Sequence, residues 1–423
     1  MSRRTVLAWS FYDFANSAYP TVIVTVAYSV YFKTVVAGGA AGGAGDFFWG
    51  FAIFLSMITV AAAAPFLGSL ADVSGTKKKF LGFFAALCVL FTGLLFFVGR
   101  GDILTGVLLF VVANIGFEGS LVFYNAFVPE IAVERDYGKV SGYGWAFGYV
   151  GGLLCLLWVF PLIKGGFAPE NLSNFRTAFV RVAIFYALFS IPTFLWLRER
   201  AADARRAGWS EHVRRGWEQL RETFHHVRRL KHLFRFLLAF LIYNDGIVTV
   251  IAFSSIYAVS TLGFTMKEVT ALFIAVQASA CMGAFAFGFV VDRIGAKQTI
   301  LLLLGLWCLV VLAAYFTVTK GQYFAVAMVA GVGLGSVQSA SRSLMAFFIP
   351  EGKGGEFYGF YGVCGKMSAV LGPLTFGIIS TLAGSQRIAI LSVLFFFLAG
   401  MAVLWSVRVE KVDVSYSRGS SPV

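Results

Sequence analysis

Charge is scarce in this chain. Only 13% of its 423 residues are Asp, Glu, Lys or Arg, where a soluble domain carries about 25%. So little charge leaves no soluble domain to be housed. Cysteine is scarce too. The five (Cys88, Cys155, Cys281, Cys308, Cys364) all lie inside apolar runs. They are odd in number and lack metal-ligand spacing, so they read as packing residues. The four histidines, His212, His225, His226 and His232, fall in one polar segment with no matching ligands. A metal site and any other cofactor are therefore excluded. No nucleotide-binding loop and no paired catalytic carboxylates stand in a soluble segment, which excludes an ATP-driven pump and an enzyme. Met1–Arg4 opens on basic residues, but no small-residue cleavage site follows and the apolar stretch behind it is too long for a signal peptide.

What is abundant is apolar sequence. Hydrophobic residues make up 59% of the chain and mean hydropathy is +0.81. Twelve candidate spans run near 6–33, 47–71, 79–99, 103–128, 140–163, 175–197, 233–259, 268–291, 298–319, 322–349, 357–383 and 386–407. Each can cross a hydrocarbon core of about 30 Å. Their length and the absence of period-two alternation predict helices. The fold class expected is an all-α membrane protein in contact with lipid.

The chain repeats itself. Gly68, Asp72, Gly75 and Lys77 return as Gly288, Asp292, Gly295 and Lys297, each 220 positions on. Ala126–Glu130 answers to Phe347–Glu351 at an offset of 221. A tandem repeat of half the chain follows. The organisation expected is a six-helix bundle over 1–197, a linker over 198–232, a second six-helix bundle over 233–407 and a tail over 408–423. Two parallel six-helix repeats are an architecture of secondary transporters.

Basic residues orient it. With the N-terminus inside, twenty-three Lys and Arg lie on the inner segments and seven on the outer ones. Both termini and the linker are therefore expected in the cytoplasm, with the plasma (inner) membrane as the location. The net charge of +13 then reads as topology, and nucleic acid is excluded as a partner. In the linker, Trp209, Val213, Trp217, Leu220 and Phe224 recur at spacings of three and four. That pattern predicts an amphipathic helix at the membrane surface.

The repeated Gly-x-x-x-Asp-x-x-Gly-x-Lys loop resembles the signature of the major facilitator superfamily. The first copy departs from it, with Val73 and Thr76 where basic residues are usual; the second keeps Arg293. The resemblance implies a gate built from Gly68, Asp72, Lys77, Gly288, Asp292 and Arg293. In it, each Asp and nearby cations latch helix ends across the two halves, and Asp292 is expected to matter more than Asp72. Small-residue stripes at Gly144, Gly148, Gly152 and at Ala280, Ala284, Gly288 predict close helix contact, and in the superfamily the fifth and eighth spans meet across the halves. A narrower resemblance rests on polar islands: Trp9–Tyr19, Phe123–Glu130, Ser141–Tyr149, Tyr243–Gly246, Gln338–Ser343 and Phe357–Tyr361 through Lys366 to Pro373. Together they are similar to the Unknown Major Facilitator family, whose eukaryotic branch is the autophagy-related vacuolar amino-acid effluxer. The resemblance implies small-solute transport, with amino acids as the cargo of that branch.

Ionisable residues inside spans cost at least about 2.5–3.5 kcal/mol at the bilayer centre and face a cavity or a partner. Arg235 and Arg181 sit near span ends and can snorkel. At about 1.5 Å per residue, Asp13, Glu118, Arg342 and Lys366 fall roughly 10–15 Å deep and Asp245 about 18 Å. Four of the five lie on the first, fourth, seventh and tenth spans, the cavity-lining set of the superfamily. Tyr12, Asn16, Asn125, Tyr243, Asn244, Gln338 and Tyr361 supply neutral hydrogen bonds around them. The function expected is alternating-access transport of a small zwitterion by a monomer. Arg342 is expected to hold a carboxylate, with Lys366 as a second cation. Asp245, with Asn244 or Asp13, is expected to hold an ammonium, while Glu118 and Asp13 carry a coupling proton. An organic-anion carrier, a lipophilic-compound or lipid exporter and a non-transporting receptor are the rivals.

Overall fold

The computed structural model describes residues 3–38, 44–199, 209–225, 230–350, 352–368 and 371–409. Parts of the expected linker (200–208 and 226–229), Glu351 and the tail from 410 lie outside them. The helices are α1 (Arg3–Asn16), α2 (Tyr28–Tyr31), α3 (Ala44–Ser74), α4 (Lys77–Leu94), α5 (Ile103–Ala126), α6 (Val128–Ile131), α7 (Tyr137–Ile163) and α8 (Leu172–Trp196). They continue with α9 (Trp209–His225), α10 (Lys231–Leu262), α11 (Met266–Ile294), α12 (Ala296–Phe316) and α13 (Lys320–Phe348). The last described helices are α14 (Gly354–Met367), α15 (Leu371–Ala383), α16 (Gln386–Leu391) and α17 (Val393–Trp405). No strand occurs among the described residues. In hydrocarbon every backbone N–H and C=O needs a partner within the chain, and helices supply one locally.

Eleven described helices are long and apolar enough to cross a membrane. The difference from twelve is the eleventh expected span, 357–383, which breaks into α14 and α15. Gly372 and Pro373 stand at the start of α15, and a proline cannot continue a helical ladder because it has no N–H to donate. The first span is irregular as well. Tyr19–Val26 and Phe32–Val36 wind as π-helix, closed by Ala27 N–H on the Val22 carbonyl and Ala37 N–H on the Phe32 carbonyl. Pro20 is the second residue of the first of these stretches and withholds its N–H there. The surface is apolar: Leu382 is 83% exposed, Trp405 74% and Leu104 72%. Such side chains face lipid in a multi-pass membrane protein.

The described residues group into two compact units. Unit 1 comprises Met1–Ala64, Thr76–Tyr124 and Tyr143–Glu199. Its interior is aromatic, with Trp9 stacked on Tyr124 at 4.4 Å and Tyr28 among Phe110, Phe179 and Trp49. Gly148 and Gly151 of α7 face Ser17 and Phe14, and a Cβ on either would strike them. The stripe read at Gly148 and Gly152 thus packs on the first span inside unit 1.

Unit 2 comprises Pro65–Gly75, Asn125–Gly142 and Arg200–Val423. Its core runs from Phe236, Phe240 and Tyr243 of α10 through Trp307 of α12 and Phe348 of α13 to Phe397 of α17. Here Ala284 and Gly288 of α11 do meet α7, but at Gly138 and Gly142. The contact lies nearer the start of α7 than the stripe at Gly144, Gly148 and Gly152. Ala280 packs instead on Gly335 of α13. Small side chains let these backbones approach closely.

Candidate functional site

In unit 1 the expected residues gather on α1 and α5. Tyr12, Asn16 and Tyr19 are spaced by four and three, which puts them on one helix face. All three are buried, as are Asp13 and Glu118. The Tyr12 and Tyr186 hydroxyls share a 2.8 Å hydrogen bond, and Ser120 Oγ lies 3.5 Å from the same Tyr186 oxygen. Tyr124 donates its hydroxyl to Asp13 Oδ2 at 2.8 Å, while Trp9 Nε1 donates to the Tyr124 carbonyl. On this face two donors are left over: Asn16 Nδ2 and the Tyr19 hydroxyl are buried with no hydrogen-bond partner among the described residues. A buried polar group without a partner costs about 1–3 kcal/mol, so each is a place where a ligand atom can be accepted. Tyr19 lies inside the first polar island, at the start of the π-helical stretch, and nothing in its sequence spacing marks its hydroxyl as unpartnered. Such irregular turns are frequent at functional sites.

Unit 2 holds a second polar set, built around the break in the eleventh span. Both Asp245 oxygens are occupied: Gly372 N–H donates to Oδ1 at 2.9 Å and Leu371 N–H to Oδ2 at 3.1 Å. The carboxylate therefore caps the start of α15, where the helix macrodipole favours negative charge. Asn244 Nδ2 donates to Ser368 Oγ on the other side of the break, and Gln338 Nε2 donates to Asn244 Oδ1 at 2.9 Å. Tyr243 bonds Ser341 at 2.6 Å, and Tyr361 stacks on Phe240 at 4.3 Å. Lys366 is in the last turn of α14, partly exposed.

The Arg342 guanidinium is largely taken up by Ser141. Nε donates to Ser141 Oγ at 2.8 Å, another nitrogen donates to the Ser141 carbonyl, and a third reaches Asn125 Oδ1 at 3.4 Å. Ser141 in turn donates to the Ser339 carbonyl, and Ser343 Oγ to the Tyr137 carbonyl. These bonds fasten α13 to the first turns of α7 within unit 2. Ser141 was visible in the sequence as part of an island; its pairing with a residue 201 positions away was not.

Both copies of the repeated loop are latched, and the partners are backbone amides. Asp72 accepts from Gly355 N–H and Glu356 N–H, each at 2.9 Å. Asp292 accepts from Gly138 N–H at 2.8 Å and Lys139 N–H at 3.1 Å, with Lys139 Nζ 3.6 Å away. Each carboxylate thus caps the first turn of another helix, α14 or α7. Gly68 meets the backbone of Gly355, and Gly288 that of Gly138. Gly75 and Gly295 close the turns at φ +61° and +90°, a backbone region other residues rarely adopt. Arg293 is exposed.

The basic position of the first copy is displaced. Lys297 Nζ donates to the Trp405 and Val407 carbonyls at the end of α17. Its structural counterpart is Lys78, whose Nζ donates to the Leu197 carbonyl beyond α8 at 2.7 Å. Sequence offset had matched Lys297 to Lys77, which is buried and gives its backbone N–H to Glu199 Oε1 at 2.6 Å. The late-running basic run in the sequence was the signal for this shift.

Similarity to other proteins agrees with this architecture. A family model described as vacuole effluxer Atg22 like matches residues 48–415. An uncharacterised MFS-type transporter, YxiO, of Bacillus subtilis is 30% identical over 422 residues, covering 98% of each chain. Autophagy-related protein 22 of Kluyveromyces lactis is 24% identical over 79% of this chain and 73% of its own. Among solved structures, the proton:xylose symporter XylE superposes with a TM-score of 0.75 at 15% identity, covering 97% of this chain and 96% of its own. The human organic anion transporter MFSD10 does so at 0.72 and 14%, covering 95% and 99%. With a helical fold shared across that superfamily and a family match over most of its length, this chain belongs to the Atg22-like vacuole effluxer family of major facilitator transporters.

Proposed function

We propose that the chain moves a small polar solute, an amino acid or close zwitterionic relative, by alternating access and with a coupled proton. One observation carries the reading: two buried donors without a hydrogen-bond partner among the described residues, Asn16 Nδ2 and the Tyr19 hydroxyl, lie on the same helix face as Tyr12. A solute carboxylate supplies the acceptors they lack. Asp13 and Glu118, buried in the same unit, supply negative charge for an ammonium group and a place for a proton. An apolar cargo would leave Asn16 Nδ2 and the Tyr19 hydroxyl unmatched in a dry interior. The likeness to amino-acid effluxers at the level of the polar islands supports the same class of cargo.

In this reading Arg342 and Asp245 serve otherwise than the sequence alone led one to expect. Their oxygens and nitrogens are engaged by Ser141, Asn125, Leu371 and Gly372, so Arg342 is a tie and Asp245 a helix cap. Asn125, Asn244, Gln338, Tyr361 and Lys366 support them. Asp72 and Asp292 are the gating latches. The termini and α9 are cytoplasmic in a plasma (inner) membrane, and the working unit is a monomer.

The test is ligand-induced thermal stabilisation of the purified protein across a metabolite panel. A ligand at 100 times its Kd stabilises by about 2.7 kcal/mol. Zwitterions should raise the melting temperature, and Tyr19→Phe and Asn16→Ala should each weaken binding about tenfold, the worth of one buried hydrogen bond. Stabilisation by organic anions alone, untouched by either substitution, would overturn the reading.

A further inference from the structure

Glu356 is a buried acid that neither the gate nor the solute reading uses. It sits in the first turn of α14 and is 0% exposed. Its Oε2 accepts from Gln219 Nε2 of α9 at 2.8 Å, and the Thr223 hydroxyl of α9 bonds the same carboxyl. Its Oε1 is buried and has no hydrogen-bond partner among the described residues. The first turn of α14 can stabilise one negative charge through its amides and dipole, and Asp72 has already taken the N–H groups of Gly355 and Glu356. The charged groups facing Glu356 are Asp72 of α3 and Lys353 at the mouth of α14; α9 presents the neutral Gln219 and Thr223. Two carboxylates share one helix end, and the second is left with a bare, dry oxygen.

The α9 helix lies directly over this arrangement. Ser69 of α3 donates to the Gly216 carbonyl at 2.8 Å. Gly216 rests on the backbone of Leu70, and Trp217 packs edge-on against Phe66. The helix therefore clasps the end of α3 to the start of α14, within unit 2, and Gln219 and Thr223 are its grip on α14.

We propose that Glu356 is a proton-binding site and that its proton holds the α9 clasp shut. A proton on Oε1 removes the like-charge conflict with Asp72, while Oε2 stays as acceptor for Gln219. Loss of the proton places a second buried anion beside Asp72, and the clasp loosens so that water can reach it. This site is separate from Asp13 and Glu118 and does not depend on which solute the chain moves.

The clasp can be read on purified full-length protein in detergent. The thiol of S69C reports cover by α9 through its rate of maleimide labelling, scored by mass spectrometry on the peptide carrying position 69. Comparing S69C with S69C/E356Q at each pH cancels the reactivity of the thiol itself. The ratio should climb by up to about tenfold per pH unit as Glu356 loses its single proton. The pH-difference infrared spectrum should show a protonated-carboxyl band that E356Q abolishes. Gln219→Ala removes a donor that favours the anion, so it should move both transitions to higher pH, which decides the matter even where E356Q fails to accumulate. A ratio that stays constant with pH, a carboxyl band that persists in E356Q, or transitions unmoved by Gln219→Ala would overturn the proposal. A response that follows sodium concentration at fixed pH would overturn it as well.

Discussion

The two copies of the Gly-x-x-x-Asp loop do the same thing with different surroundings. Each Asp accepts two backbone N–H groups at the start of another helix, and each leading Gly lets the backbones touch. The first copy is sealed: Asp72 is 7% exposed as a whole residue, α9 covers it, and a second buried acid stands beside it. The second has a cation at its side: Lys139, 36% exposed, lies 3.6 Å from Asp292, whose own side chain is 7% exposed, and also pairs with Asp136. On sequence the second copy looked stronger because it keeps Arg293. In the structure two backbone amides hold each Asp, so the flanking basic residues matter less than the sequence suggests.

Breaking the first latch should therefore cost most. Asp72→Ala leaves two buried amides unpaired and should lower stability by about 3 kcal/mol, seen as a fall in melting temperature. An effect smaller than that of Asp292→Ala would restore the sequence ranking. Next comes Gly68→Ala, whose Cβ would run into the Gly355 carbonyl; overpacking of that kind costs about 1–3 kcal/mol. Gly288→Ala meets the Gly138 oxygen at 2.9 Å and should cost less in the same melts. Asp292→Ala should cost about 1–2 kcal/mol, since water and Lys139 can partly replace what is lost.

Smaller still is the loss from Lys78→Met or Lys297→Met, about 1 kcal/mol each for helix-end carbonyls left without a cation. Equal losses would establish Lys78, at one residue's displacement, as the partner of Lys297. The smallest effect concerns α9 alone. Hydrogen bonds from Arg214 and Arg215 hold the Glu211 carboxyl down at about 2. A depressed acid contributes stability above its unfolded pKa, and that contribution is lost as pH falls through the usual carboxylate range toward 2. Glu211 lies on the exposed side of α9 with Arg214 and Arg215, so acid should loosen α9 only slightly. Amide hydrogen exchange across 209–225 would register it, and Glu211→Gln should remove the pH response.

Much of the fold was legible because membrane helices write themselves in long apolar runs. The break in the eleventh span is not evident from its apolar run, although Gly372 and Pro373 mark it. A helix broken inside a membrane needs its freed amides satisfied, and the Asp245 carboxylate that does this comes from a helix more than 120 positions earlier. The amphipathic helix of the linker was expected at the membrane surface, and its exposed Trp217 fits that pattern. Its docking on Ser69, Leu70 and Glu356 was hidden, because spacing defines a helix face but not what that face meets.

Composition and periodicity by themselves determined that this chain is helical, crosses a membrane many times and is built from a doubled six-helix unit. They also placed the ionisable residues inside the spans, since apolar sequence makes any charge conspicuous. Only the tertiary structure decided whom those residues serve. Arg342 goes to Ser141, Asp245 to the broken helix, the two loop carboxylates to helix ends far along the chain, and Asn16 and Tyr19 are left with donors to spare. The reason is physical: burial demands that each polar group find a partner, but which partner depends on backbones brought close by glycine contacts between distant helices, and sequence spacing carries no record of that distance.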